Sequence, residues 1–203
     1  MARYTGPKWR INRREGTTVL GNNENWKKRP TPPGQHGLSR SRPSNYAEQF
    51  REKQKIKRTY GMLEKQFRKF YALALKSTGN TGTRFLQLLE MRLDNVVYRM
   101  KFASTREQAR QMVAHGHIRV NGKKLDIPSY IVNVGDKISL SSKFAANEMV
   151  KNAQLERKVE KVPQWLVSAK ADGEVKAEPL RNDIDSSMRE QLVIELYSRY
   201  NIK

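Results

Sequence analysis

The sequence predicts an α+β fold: a series of helices followed by a small antiparallel sheet. Two observations carry that prediction. Apolar residues recur at a spacing of three to four from residue 63 to residue 113, and beyond Gly116 the period drops to two. A third observation sets the first 43 residues apart. They hold five of the eight prolines, at 7, 30, 32, 33 and 43. Proline fixes φ and has no N–H, so this stretch predicts an extended arm rather than long helices or a sheet.

The 203 residues carry 40 Lys+Arg against 20 Asp+Glu, a formal charge of +20. Self-repulsion on that scale suits a polyanionic partner. The charge is uneven: net +8 over residues 1–43, +11 over 44–141 and +1 over 142–203. A nucleic-acid footprint is therefore expected within the first 141 residues, with the last third turned toward protein or solvent. There is no Cys, which excludes disulfides and thiolate metal sites. No apolar run approaches the roughly 18 residues of a membrane-spanning helix. The opening MARYTGPKWRINRREG has no apolar signal core and does not fit a transit peptide, so a cytoplasm-like compartment is expected.

Regular structure is expected after Pro43. Ser44 and Asn45 are N-cap residues, and Glu48 stands at the capping-box position of Asn45. They predict a helix to about Tyr60, stopped by Gly61. Its cations Arg51, Lys53, Lys55, Lys57 and Arg58 leave little apolar surface, so it is read as a surface helix. Leu63, Phe67, Phe70, Tyr71, Ala74 and Leu75 predict an amphipathic second helix, ended by the loop at 79–82. Leu86, Leu89, Leu93, Val96, Val97 and Met100 predict two more, meeting near residues 92–94, with Asp94 a cap for the second. Ser104 and Glu107 read as a capping box for a helix with Ala109, Met112 and Val113 inward.

Beyond Gly116, Ile118 and Val120 alternate with polar residues. Asn121-Gly122 is then the signal of a two-residue hairpin turn, with Leu125 and Ile127 after it. Ile131, Val132 and Val134, a Gly135-Asp136 turn, and Ile138 and Leu140 complete a meander. A helix from Ser141 or Ser142 to about Glu160 has a thin stripe of Ala145, Met149 and Ala153. Trp165, Leu166 and Val167, an Asp172-Gly173 turn and Val175 predict another hairpin. Residues 192–197 read as a short strand or a buried helix. These elements divide into an arm (1–43), a helical domain (44–92), a helix-plus-hairpin module with the following helix (93–160), and a C-terminal hairpin and tail packing back on the body (161–203).

One constellation carries chemistry. Arg106 and Arg110 lie four apart on a predicted helix, hence side by side, on a face the core does not need. Arg99 and Lys101 precede them, and His117, Arg119, Lys123 and Lys124 follow on the hairpin. Cations of one sign in that number, at a helix N-terminus, point to phosphate contact rather than to a merely solvated face.

Residues 93–140 resemble the S4 RNA-binding module, on the lines RLDNVVYRM, STREQARQMV and IRVNGKK. The flanks extend the match: MARYTGPKWRINRREG, PPGQHG, EKQKIKRTYGMLEKQFRKFY, LLEMRLDN and QLVIELYSR. Over essentially its whole length the chain resembles the bacterial-type small-subunit ribosomal protein S4 family. The resemblance implies an αL-like module of two helices and a hairpin. It implies a primary binder of small-subunit rRNA that recognises a multi-helix junction in the 5′ domain and nucleates assembly. It further implies contact with ribosomal protein S5 and other small-subunit proteins, a place near the path by which mRNA enters, and an influence on decoding accuracy. No cofactor and no membrane partner are implied. A cytoplasmic ribosome is the expected location, an organelle ribosome being compatible with the same features. The competing reading is an RNA-binding assembly factor or translational repressor using the same module.

The residues expected at the RNA are Arg3, Lys8, Arg10, Arg13, Arg14 and His36 in the arm; Arg51, Lys53, Lys55 and Arg58 in the first long helix; and Arg106, Arg110, Arg119, Lys123 and Lys124 in the module. Basic groups supply affinity through phosphates, and a rigid surface supplies specificity by matching RNA shape.

Two departures from the family stand out. Some members carry zinc-binding cysteines where this chain has Trp9 and Asn12. Zinc is therefore not expected, and the arm is expected to be ordered by RNA and by its own packing, with Trp9 and Trp26 as apolar pins. Lys101 and Ala103 stand where glycine is common. An enzyme reading is weak. Arg92-Leu93-Asp94 echoes the RLD triplet of pseudouridine synthases, but only about 60 residues follow the module, too few for a catalytic domain, so Asp94 is read as a cap or ion-pair partner. His115 and His117 lack a third ligand, and no nucleophile–base pair or phosphate-binding glycine loop is evident.

Overall fold

The structure is a computed structural model and describes residues 4–20, 25–38, 42–158 and 161–200. Its helices are α1 (Lys8–Glu15), α2 (Asn45–Thr59), α3 (Glu64–Leu75), α4 (Thr81–Glu90), α5 (Leu93–Arg99), α6 (Arg106–Ala114), α7 (Ser142–Ala145), α8 (Glu148–Glu156) and α9 (Glu190–Ser198). Its strands are β1 (Ile118–Val120), β2 (Lys123–Lys124), β3 (Lys137–Leu140), β4 (Leu166–Ser168) and β5 (Asp172–Val175). The chain divides into two compact units, Met1–Phe85 with Ser186–Lys203, and Leu86–Asp185. The segment 161–203, expected as one piece, thus contributes to both.

In the first unit the described residues of the arm hold more regular structure than its prolines suggest. Pro7 precedes α1, and Gly16 ends it at φ 65°, a left-handed position glycine adopts without strain. The buried Asn12 then folds the chain back. Its Oδ1 accepts from the N–H groups of Val19 (3.1 Å) and Leu20 (3.0 Å), and its Nδ2 donates to the Leu20 carbonyl (2.9 Å). Ile11, Val19 and Leu20 close over this turn as a small apolar cluster. Of the two expected pins, Trp26 is half-buried and donates to Thr18 Oγ1 at 2.8 Å, whereas Trp9 is 44% exposed.

Ser44 caps α2 by accepting from Ala47 N–H (3.3 Å), one residue earlier than the Asn45–Glu48 box predicts. The helix is not the surface helix expected, because it packs along α9 and buries Gln49, Lys53 and Ile56. Residues 192–197 belong to that partner helix. Val193, Leu196 and Tyr197, spaced i, i+3, i+4, supply its buried face, which settles the strand-or-helix ambiguity. Phe67, Tyr71, Phe85 and Tyr197 interlock beneath, with Phe67 and Phe85 edge to face at 5.0 Å and Tyr71 and Tyr197 tilted at 4.7 Å.

In the second unit α5 and α6 pack against an antiparallel sheet of order β2-β1-β3-β5-β4. Ile118, Val120, Ile138 and Leu140 supply its inner face, under Val96, Val97, Phe102, Ala109, Met112 and Val113. The expected turn at Asn121-Gly122 is present, with φ 50° and 79°, the two left-handed positions of a type I′ hairpin. Three expectations are corrected. Residues 131–134 form a single bridge, Ile131 to Arg92, rather than a strand. The helix expected from 141 to about 160 is two, because Asn147 Oδ1 accepts from Met149 N–H (2.8 Å) and restarts the helix as α8. Gly173 lies inside β5 rather than in a turn. A Cβ there would stand 2.7 Å from both Met100 Sδ and the Val167 carbonyl oxygen, so close approach, not bending, explains the glycine.

Candidate nucleic-acid interface

The module's cations rest on buried polar groups of α4 and α5. Arg92, 1% exposed, grips Asp94 in a fork, Nε to Oδ1 at 3.0 Å and Nη2 to Oδ2 at 2.6 Å. Arg110 reaches the same carboxylate from α6, Nη1 to Oδ2 at 3.0 Å. Glu90, equally buried, takes Arg99 in a second fork at 3.0 and 2.7 Å and accepts from Asn95 Nδ2 at 2.7 Å. Asn95 Oδ1 in turn accepts from Arg106 Nε at 2.8 Å. The guanidinium of Arg106 lies over the Tyr98 ring, 4.4 Å from its centroid, and Arg157 lies over the same ring at 3.8 Å. Arg106 and Arg110 thus face α5 as well as solvent and are half-buried. Asp94 is an ion-pair partner, with its carboxylate engaged by two arginines.

The turn between α5 and α6 follows the Schellman pattern. Lys101 N–H donates to the Tyr98 carbonyl (3.0 Å) and Phe102 N–H to that of Val97 (3.2 Å), and the side chains of Val97 and Phe102 both lie in the core. Lys101 occupies the left-handed position at φ 64° that such turns normally give to glycine. The α6 cap is one residue later than the sequence suggests. Thr105 Oγ1 accepts from Gln108 N–H (3.2 Å), and Gln108 Oε1 accepts from Ser104 N–H (2.7 Å).

On the hairpin, Arg119 and Lys124 are cross-strand partners and Lys123 sits beside the turn; all three are exposed. Asp136, buried, holds the tip by accepting from Asn121 Nδ2 and from Asn133 N–H, each at 2.8 Å. Lys124 lies over Gly116, which is at φ 72°. His117 stacks on Phe144 at 4.0 Å and 7°. Burial, then the neighbouring His115 and Lys124, push its pKa below the ordinary imidazole value. The ring centroids of His115 and His117 are 6.0 Å apart. Among the described residues no group of three or more His, Asp or Glu is placed to hold a metal ion.

Charge is concentrated in the first unit, whose sequence carries 23 Lys+Arg against 7 Asp+Glu, compared with 17 against 13 in the second. Lys8, Arg10, Arg14 and His36 are exposed, and Arg13 is half-buried. Arg3 lies outside the described residues. Arg13 Nε donates to the carbonyls of Arg29 (3.1 Å) and Thr31 (3.0 Å), and Arg14 to that of Pro33 (3.3 Å), so both also order the arm. Glu15, its side chain 2% exposed, pairs with Arg58 and with Arg51 at 3.4 Å, tying α1 to α2. Burial raises its pKa against the opposing pull of Arg51 and Arg58. Lys55 donates to the Ser187 carbonyl and pairs with Glu52 at 3.5 Å.

Lys53 departs from expectation. It is 6% exposed, and its Nζ sits between both oxygens of Glu64 at 3.1 and 3.0 Å, over the Phe50 ring. Lys57 (3.0 Å) and the Tyr197 hydroxyl (2.9 Å) join that carboxylate. An ammonium so enclosed holds α2, α3 and α9 together and presents little to a phosphate. Asn95, Glu90, Glu64 and Glu15 are residues the sequence reading missed. For the three glutamates the signal was that acids are scarce among so many cations; Asn95 carried none.

Exposed cations on a helix-and-hairpin frame, with their neighbours braced by buried carboxylates, define the class of protein: one that binds RNA. Residues 3–90 match the ribosomal protein S4/S9 N-terminal domain and residues 91–138 the S4 domain. The chain is 46% identical to the small ribosomal subunit protein uS4 of Herpetosiphon aurantiacus, 47% to that of Cutibacterium acnes and 48% to that of Thermoanaerobacter pseudethanolicus. Each alignment covers 98% of this chain and 100% of the relative. The chain belongs to the small ribosomal subunit protein uS4 family, whose members are structural rather than enzymatic. Among the described residues no helix is long and apolar enough to cross a membrane.

Proposed function

We propose that this chain is a structural constituent of the small ribosomal subunit, working on the cytoplasmic ribosome as a primary binder of small-subunit rRNA. The observation that carries this is end-to-end similarity to small-subunit proteins, over 98% of this chain and all of theirs. In this reading the basic first unit and the arginine-bearing module engage phosphates around a multi-helix junction of the 5′ domain and nucleate its assembly. The RNA meets Lys8, Arg10, Arg13, Arg14, His36, Arg51, Lys55, Arg58, Arg106, Arg110, Arg119, Lys123 and Lys124, together with Arg3. Contact with ribosomal protein S5 and nearness to incoming mRNA give the chain its influence on decoding accuracy.

The test is a chemical footprint on naked small-subunit rRNA with this chain as the sole protein. Protection confined to one junction of the 5′ domain is expected. Protection that arises only after other proteins are added overturns the primary-binder role.

A further inference from the structure

We infer that Asn95 is a positioning residue for RNA recognition: it sets the orientation in which Arg106 meets the RNA backbone. The inference rests on the reading of α6 as an RNA-facing helix. Asn95 is 2% exposed, and both ends of its amide are committed. Nδ2 donates to the Glu90 carbonyl at 2.9 Å and to Glu90 Oε2 at 2.7 Å, and Oδ1 accepts from Arg106 Nε at 2.8 Å. Glu90 is in turn clamped by Arg99. The amide therefore cannot rotate without breaking its bonds to a buried carboxylate, so its oxygen is a fixed point.

Arg106 is held from two directions, by that oxygen at Nε and by the Tyr98 ring beneath its plane. An arginine on a flexible stem loses rotamer entropy when it binds a phosphate, whereas one already held in plane loses less. A planar fork with a fixed direction also reads the spacing of backbone phosphates, which a freely rotating charge does not. Asn95 is uncharged, so replacing it changes neither the number of cations nor the net charge. Its contribution is thereby separable from that of Arg106.

The test compares Asn95→Ala, Arg106→Ala and the unaltered full-length chain. Affinity for a transcript of the small-subunit 5′ domain is measured as a function of salt, below the unfolding transition of every variant. Arg106→Ala should weaken binding and lower the salt slope by about one. Asn95→Ala should weaken binding about tenfold at every salt concentration with the slope unchanged. In NMR spectra the Arg106 Nε–H should exchange faster in the folded variant. Where Asn95→Ala does not fold, Asn95→Ser serves instead, because its hydroxyl is too short to reach Arg106. Unchanged affinity in the Asn95 variants beside a weakened Arg106→Ala overturns the positioning role. An Arg106→Ala variant that binds normally removes Arg106 from the RNA face and this inference with it, and leaves the proposed function to the other cations.

Discussion

Arg110 and Asp94 are joined across α6 and α5 at 3.0 Å, through the same carboxylate oxygen that Arg92 holds at 2.6 Å. The sequence places these residues 16 apart with nothing to mark them as partners. The pairing makes one carboxylate the support of both a buried and a half-buried arginine.

Removing that carboxylate leaves Arg92 buried without its counter-charge. Asp94→Ala should cost about 3–5 kcal/mol in the second unit, read from denaturant-induced unfolding. A loss below about 1 kcal/mol would show that Arg92 finds water or another acceptor.

Lys101 sits in the left-handed region at φ 64°. A side chain there is strained by about 1 kcal/mol relative to glycine. Lys101→Gly should therefore stabilise the fold by about 0.5–1 kcal/mol, and Lys101→Ala should not. Equal unfolding midpoints for the two variants would show that the turn bears no such strain.

Glu64 gives the first unit a pH dependence. Burial works to raise its pKa, but hydrogen bonds from Lys57, Lys53 and Tyr197 outweigh it and hold the value at about 2, below the ordinary 4.5. A depressed carboxylate stabilises fully above its unfolded pKa and loses that contribution as pH falls through the folded one. Stability should decline between pH 4.5 and about pH 2. After allowance for solvent screening, Glu64 supplies about 1–2 kcal/mol of that decline. Glu64→Gln should flatten this part of the profile, and a profile of unchanged shape would assign the acid loss elsewhere.

Lys53 and Arg119 should separate stability from binding. Lys53→Met should lower stability by about 1–2 kcal/mol and leave the salt slope of rRNA binding as it was. Arg119→Ala should alter stability by no more than about 0.5 kcal/mol and reduce that slope by about one. A reduced slope in the Lys53 variant would mean that the ammonium leaves Glu64 for the RNA.

Asp136 braces the hairpin tip. Asp136→Ala leaves Asn133 N–H and Asn121 Nδ2 without their acceptor, and should cost about 1–3 kcal/mol. Amide exchange should accelerate at residues 120–124 before it does elsewhere in the sheet. Uniform acceleration would place the brace in some other contact.

Much of the fold was legible because its signals are local. Asn121-Gly122 dictates a type I′ turn from two residues alone, and Gly61 and Gly116, at φ 59° and 72°, end their helices where the pattern placed them. Errors arose where a local signal was ambiguous by one residue, as at Ser104 against Thr105. They also arose where packing overrode pattern, as at Gly173, whose turn-like sequence answers to the nearness of Met100.

The candidate site divides in the same way. By itself the sequence determined the sign of the surface, the helices and hairpin that carry it, and the family, because periodicity, turn chemistry and net charge act over a few residues or over the whole composition. Tertiary structure alone decided which cations face outward. Lys53 is enclosed by Glu64 and the Phe50 ring, beside Tyr197 from the far end of the chain, and Arg106 is held by Asn95 and Tyr98. A charge leaves water only where packing brings its partner within hydrogen-bond distance, and that proximity is created by the fold rather than by neighbours in sequence.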